Sequence, residues 1–146
     1  MATRYDPLED HYDPDLYLPI GDVVYQIPAP SITEADRIRP FLWGPEADGY
    51  KPDAEQADAE KMLGPAYLEM TKNEVPAPYV NHAGRTALIH FCSGPQGPEL
   101  GRGHWVFAHL SERIDVQKLM KYMAAERDKK RNQDAAREAM KSKADV

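Results

Sequence analysis

The sequence predicts an α+β protein, mostly α, in which an N-terminal β-hairpin packs on a small helical domain and leads to a long C-terminal helix. Three observations carry this. Residues 16–27, LYLPIGDVVYQI, alternate apolar and polar side chains around a central Gly-Asp, the pattern of two short strands and a tight turn. From Ser31 the apolar spacing shifts from two to between three and four, the period of a helix. From Ser111 the chain reads as one helix, apolar at its start and charged beyond. The expected organisation is a compact hairpin-plus-helices domain over 1–110 and a partly projecting, charged helix over 111–146.

A chain of 146 residues can bury one real core but not two large ones. It is 29% charged, above the roughly 25% of an average domain. No apolar run approaches the ~20 residues of a membrane span. The opening MATRYDPLEDHYD has no apolar stretch, so no secretory signal is expected. With the single cysteine Cys92 no intrachain disulfide can form, and a reducing compartment is the simple expectation. The net charge of −6 is unevenly spread: residues 1–60 carry 14 acidic and 4 basic side chains, residues 112–146 carry 10 basic and 7 acidic. The two ends could attract each other, select partners of opposite charge, or be plain solvated surface.

The first dozen residues, rich in Asp, Pro and Tyr, are expected to be irregular. Asp6, Asp10, Asp13 and Asp15 lack the spacing, the glycine and the closing glutamate of a calcium loop. In the hairpin, Leu16, Leu18 and Ile20 share one strand face, and Val23, Tyr25 and Ile27 can share the partner's. Gly21 accepts the positive φ that the first turn position wants. Pro19, Pro28 and Pro30 donate nothing to a ladder. A lone hairpin is marginal in water, so this one must lie against its own helices or against a partner.

Ser31 and Glu34 match a capping box at the head of a helix striped by Ile32, Ala35, Ile38 and Leu42, which Pro40 should kink or end. Residues 44–53 read as a loop. A short helix then ends at Gly64, and another starts with Pro65 at a favoured first helical position. The best core candidate is APYVNHAGRTALIHFC, residues 77–92, where Tyr79, Val80, Ala83, Ala87, Leu88 and Phe91 recur at helical spacing. The glycine- and proline-rich SGPQGPELGRG, 93–103, is expected to be a flexible surface loop. HWVFAHL, 104–110, is ambiguous between strand and helix. In the last helix Ile114, Leu119, Met120 and Met123 form an apolar patch, and the rest of that helix offers only alanines and Met140 to a core.

Chemistry-bearing patterns are sparse. His82 and His90 share a helix face but stand about 12 Å apart by rise, too far for one metal ion. His104, His109 and Cys92 show no zinc spacing, so core, capping or surface roles are expected for the histidines. Cys92 on an apolar helix side reads as a small buried hydrophobe rather than a nucleophile. GRGHW, 101–105, starts like a glycine-rich phosphate loop, but the chain has no Gly-Lys-Ser/Thr to complete it. RDKKR, 127–131, is diluted by Glu126, Asp128 and Asp134 in an acidic chain, against the basic face that nucleic-acid binding wants. Trp43 and Trp105 read as core anchors. No catalytic residue, cofactor or metal is expected, and no enzymatic activity.

The stretch DLYLPIGDVVYQIPAPSITEADRIRPFL, 15–42, resembles the N-terminal segment of tail assembly chaperones of long-tailed actinobacteriophages, in which an LPIGGKxYxIP-like hairpin leads into a helix. Asp22 and Val23 stand where Gly and Lys are common in that family. The later MLGPAYLEMTKNEVPAPYVNHAGRTALIHF also resembles it, through Met62, Leu63, Gly64, Tyr67, Met70, Val75 and Phe91. The resemblance covers about residues 13–92. It implies a non-enzymatic protein of the host cytoplasm that binds the tape measure protein and keeps it soluble while the tail tube assembles, with weak self-association. Ile114, Leu119, Met120 and Met123 are then the candidate partner-binding residues, and no nucleic acid or membrane is expected as a partner. The competing readings are a virion structural protein, such as a head–tail connector or tail-completion protein, and a helical adaptor. The hairpin itself is expected to be a lid on the helical core in preference to a binding edge, because its prolines blunt ladder extension.

Overall fold

In the computed structural model, which describes residues 2–44, 47–107 and 116–144, β1 (Leu16–Ile20) pairs antiparallel with β2 (Val23–Ile27). Leu18 faces Tyr25 and Leu16 faces Ile27 across the ladder, so the predicted apolar sets share one side. Gly21 takes the turn at φ +62°. Leu18, Tyr25 and Ile27 are buried, and the Tyr25 hydroxyl accepts a 3.0 Å bond from Asn73 Nδ2. The hairpin is a lid: its inner face closes one side of the helical core, while Tyr17 and Val24 point outward and are exposed.

Six α-helices complete the fold among the described residues: α1 (Ile32–Leu42), α2 (Pro52–Leu63), α3 (Pro65–Lys72), α4 (Ala77–Cys92), α5 (Gly97–Val106) and α6 (Val116–Ala144). The Ser31 hydroxyl accepts from the Glu34 backbone N–H at 3.2 Å, which is half of the predicted capping box. The Glu34 carboxylate turns instead to Arg37, at 2.7 Å. Ile38 and Leu42 are buried, but Ile32, expected on the apolar stripe, is 78% exposed. As the first residue of α1 it sits too far round the helix start to reach the core. Pro40 ends α1 within two residues rather than kinking it, since little helix remains to be disrupted.

Helix α4 is the spine of the fold. Val80, Ala83, Ala87, Leu88, Ile89 and Cys92 are buried against α1, α2 and α5. Tyr79, expected in this core, is 57% exposed, because it lies in the first turn of α4, outside the packed stretch. The larger correction concerns residues 93–103. They are not a surface loop: a short 3-10 turn over Gly94–Gln96 leads into α5, where Gly97, Leu100, Gly101, Gly103 and His104 are buried. Glycine weakens an isolated helix, yet here it permits contact that no other residue allows. A Cβ at Gly97 would lie 2.1 Å from the His90 carbonyl oxygen.

Helix α6 docks with Val116 and Leu119, both buried, and with Met123, whose sulfur would stand 2.4 Å from a Cβ at Gly103. From Ala124 to Lys141 every residue is exposed. Its 29 residues measure roughly 43 Å at 1.5 Å per residue. The stretch from Ser111, where the sequence places the start of this helix, lies outside the described residues up to Asp115.

Candidate functional site

The densest polar chemistry lies inside the molecule, where α2, α4 and α5 meet. Arg85 on α4 donates from Nε to Glu55 of α2 at 2.9 Å, and Glu55 is only 2% exposed. Beside this pair the His82 and His104 rings stack with centroids 4.3 Å apart. The Thr86 hydroxyl sits 2.8 Å from the His82 carbonyl oxygen and 2.7 Å from His104 Nδ1. A hydroxyl has one proton to give. With that proton on the carbonyl, His104 carries its own on Nδ1 and donates back to Thr86. Its Nε2 is then a bare acceptor, buried and without a partner among the described residues.

Burial, reinforced by His82 and Arg85, pushes the His104 pKa down to about 3. Burial also lowers His82, against the pull of the Trp105 and His104 backbone. Both rings are therefore neutral packing elements at ordinary pH. Sequence reasoning assigned them separate structural roles and could not foresee their pairing, because they belong to different helices with no shared periodicity. Among the described residues no group of three metal-ligating side chains converges.

The other sequence candidates fall into place around this centre. Cys92 is buried, and burial raises its thiol to about 12, the opposite of an activated thiolate. GRGHW lies within α5, its glycines turned into helix contacts rather than toward a phosphate. His90 is edge-on to Phe91 at 4.8 Å, while His109 lies outside the described residues. Trp43 and Trp105 are partly buried and pack on the core. At the α1–α2 contact Arg37 bridges Glu34 and Asp58, and Asp58 accepts a 2.7 Å bond from the Tyr50 hydroxyl. Burial and that bond raise the Tyr50 pKa well above an ordinary phenol. A groove of about 220 Å³ opens beside it, lined by Pro28, Pro30, Met62 and Pro65. Its Glu34 and Lys61 stand 3.6 Å apart and neutralise each other.

Of the four candidate partner-binding residues, Leu119 is buried in the chain's own core and Met123 is partly buried against Gly103. Met120 is 38% exposed, and Ile114 lies outside the described residues. The structure thus brings Leu119 and Met123 onto α5, with Met120 at the edge of that contact. The surface that sequence reasoning missed lies further on. At 3.6 residues per turn, the positions that continue the Val116, Leu119, Met123 face are Arg127, Lys130, Asp134, Arg137 and Lys141, each three or four residues from the last. The inner face of α6 turns from apolar to mainly cationic where the body of the protein ends.

The sequence profile of DUF7426, a domain of unknown function, matches residues 6–144. No curated protein and no solved structure matches the chain. The chain belongs to the DUF7426 family, and its match spans hairpin, helical core and α6 together.

Proposed function

We propose that this DUF7426 protein is a non-enzymatic phage tail assembly chaperone. It binds the tape measure protein in the host cytoplasm and keeps it soluble during tail tube assembly. One observation supports the reading most: α6 is anchored by its first turns and then exposed from Ala124 to Lys141. An exposed helix on a rigid base suits side-by-side binding of another long helix. The LPIG…YQIP motif that carries the family resemblance contributes Leu18, Tyr25 and Ile27 to the core, so in this reading the motif builds the scaffold and the helix meets the partner. No helix among the described residues is long and apolar enough to cross a membrane.

The test is co-expression with the long helical protein encoded beside the gene, then size-exclusion chromatography with light scattering. Co-elution of several copies, abolished when the chain is cut after Ala124, supports the chaperone. That cut spares Val116, Leu119 and Met123, so the core stays intact. A discrete ring that ignores the long protein would overturn the reading in favour of a virion structural part. Salt-sensitive binding to duplex DNA would favour an adaptor.

A further inference from the structure

The two ends of the chain carry complementary, uncovered surfaces. Residues 2–15 hold Asp6, Glu9, Asp10, Asp13 and Asp15 against the single cation Arg4. Asp13 is bonded to Tyr17 and Asp15 to Gln26 and the Ala29 N–H, so Glu9 and Asp10, with Asp6 beside His11, are the carboxylates that face outward. Within the same stretch Tyr5, Leu8 and Tyr12 are 88%, 69% and 60% exposed. These are three large apolar side chains on one short arm, and the helical core does not cover them. Such exposure is tolerated singly but marks an interaction site when clustered. At the other end, residues 116–144 carry nine cationic and four acidic side chains. Arg127, Lys130, Arg137 and Lys141 lie along one face of α6, exposed, with Asp134 the one carboxylate among them, while Arg131 pairs within the helix with Asp128. Between the ends, the body is mildly acidic: residues 16–107 carry 12 carboxylates and 7 cationic groups.

We infer that the acidic, aromatic N-terminal arm of one copy docks on the cationic face of α6 in a second copy of this chain. Carboxylates meet guanidinium and ammonium groups, and the Tyr5 and Tyr12 rings lie over arginine planes, where cation–π attraction adds to apolar contact. Leu8 packs on the alanines and the aliphatic stems of the long basic side chains, which bury their methylenes readily. The reach is sufficient: a dozen residues of arm span up to ~40 Å when extended, against roughly 25 Å of exposed helix. The contact is heterologous, arm to helix, so a dimer keeps one free arm and one free helix, and growth is open-ended unless a ring closes. This inference does not rest on the tape measure reading, and it is tested on the purified chain alone.

The experiment is sedimentation velocity on the full chain at about 50 mM and about 500 mM salt, since exposed ion pairs weaken with screening. Two variants are compared, an arm variant (Tyr5→Ala, Leu8→Ala, Tyr12→Ala) and a helix variant (Arg127→Glu, Lys130→Glu, Arg137→Glu), with circular dichroism to verify that each is folded. The expected result is concentration-dependent association of the wild type at low salt, with an association constant at least about tenfold lower at high salt. Each variant alone is monomeric. An equimolar mixture forms a heterodimer, because the helix variant still offers its arm and the arm variant its helix. A wild type that stays monomeric at low salt overturns the inference. So does association that survives in either variant, or a mixture that remains monomeric.

Discussion

His82 of α4 and His104 of α5 stack face to face at 4.3 Å, with Thr86 bonded to both residues. Because His104 is held neutral to about pH 3 while an unfolded histidine titrates near 6.5, the unfolded chain binds the extra proton between those values. The stabilising contribution is complete above about pH 6.5 and is lost as pH falls toward 3. At pH 5 the loss is roughly 2 kcal/mol. Urea midpoints from pH 7.5 downward should fall more steeply for the wild type than for His104→Gln, and equal slopes would refute the assignment.

Arg85 is the guanidinium that meets the Glu55 carboxylate inside the α2–α4 contact. Removing one member of a buried ion pair leaves the other charge poorly compensated, at a cost of about 3–5 kcal/mol. Arg85→Ala should lower the denaturation midpoint by that order. The double variant Arg85→Met with Glu55→Leu should recover most of the loss, because both buried charges are gone.

Gly97 faces backbone, not a movable side chain. With a Cβ 2.1 Å from the His90 carbonyl oxygen, Gly97→Ala must push α5 off α4. The expectation is a loss of about 2–3 kcal/mol, read by thermal unfolding. Gly49, where a Cβ meets nothing within 4 Å, is the control, and alanine there should change stability by no more than about 0.5 kcal/mol. A Gly97→Ala protein as stable as the control would refute the close approach.

Cys92 should resist a thiol reagent in the folded protein and react at once in denaturant, as a buried thiol with its pKa raised to about 12 does. Fast native labelling would show that the α1–α4 contact opens readily.

Cutting α6 after Ala124 should leave the unfolding temperature nearly unchanged, since every residue from there to Lys141 is exposed. Cutting after Phe107 also removes Val116 and Leu119, buried at 4% and 7% exposure. Each fully buried apolar side chain contributes about 1.5–3 kcal/mol, so this shorter chain should be destabilised by about 3 kcal/mol or more.

Local chemistry alone determined much of this protein. The hairpin register comes from alternation around Gly21, the head of α1 from Ser31, and the break between α2 and α3 from Gly64 and Pro65; these signals act within a few residues and are legible wherever they occur. The tertiary structure decided what depends on residues brought together from afar. It made α5 from glycines that read as a loop, because His90 of α4 leaves space for nothing larger at Gly97. It paired His82 with His104 and Arg85 with Glu55 across helix boundaries. It also drew Leu119 and Met123 into the chain's own packing, leaving the cations beyond them uncovered. Propensity and periodicity describe a residue's neighbours along the chain, whereas burial and ionisation are set by its neighbours in space.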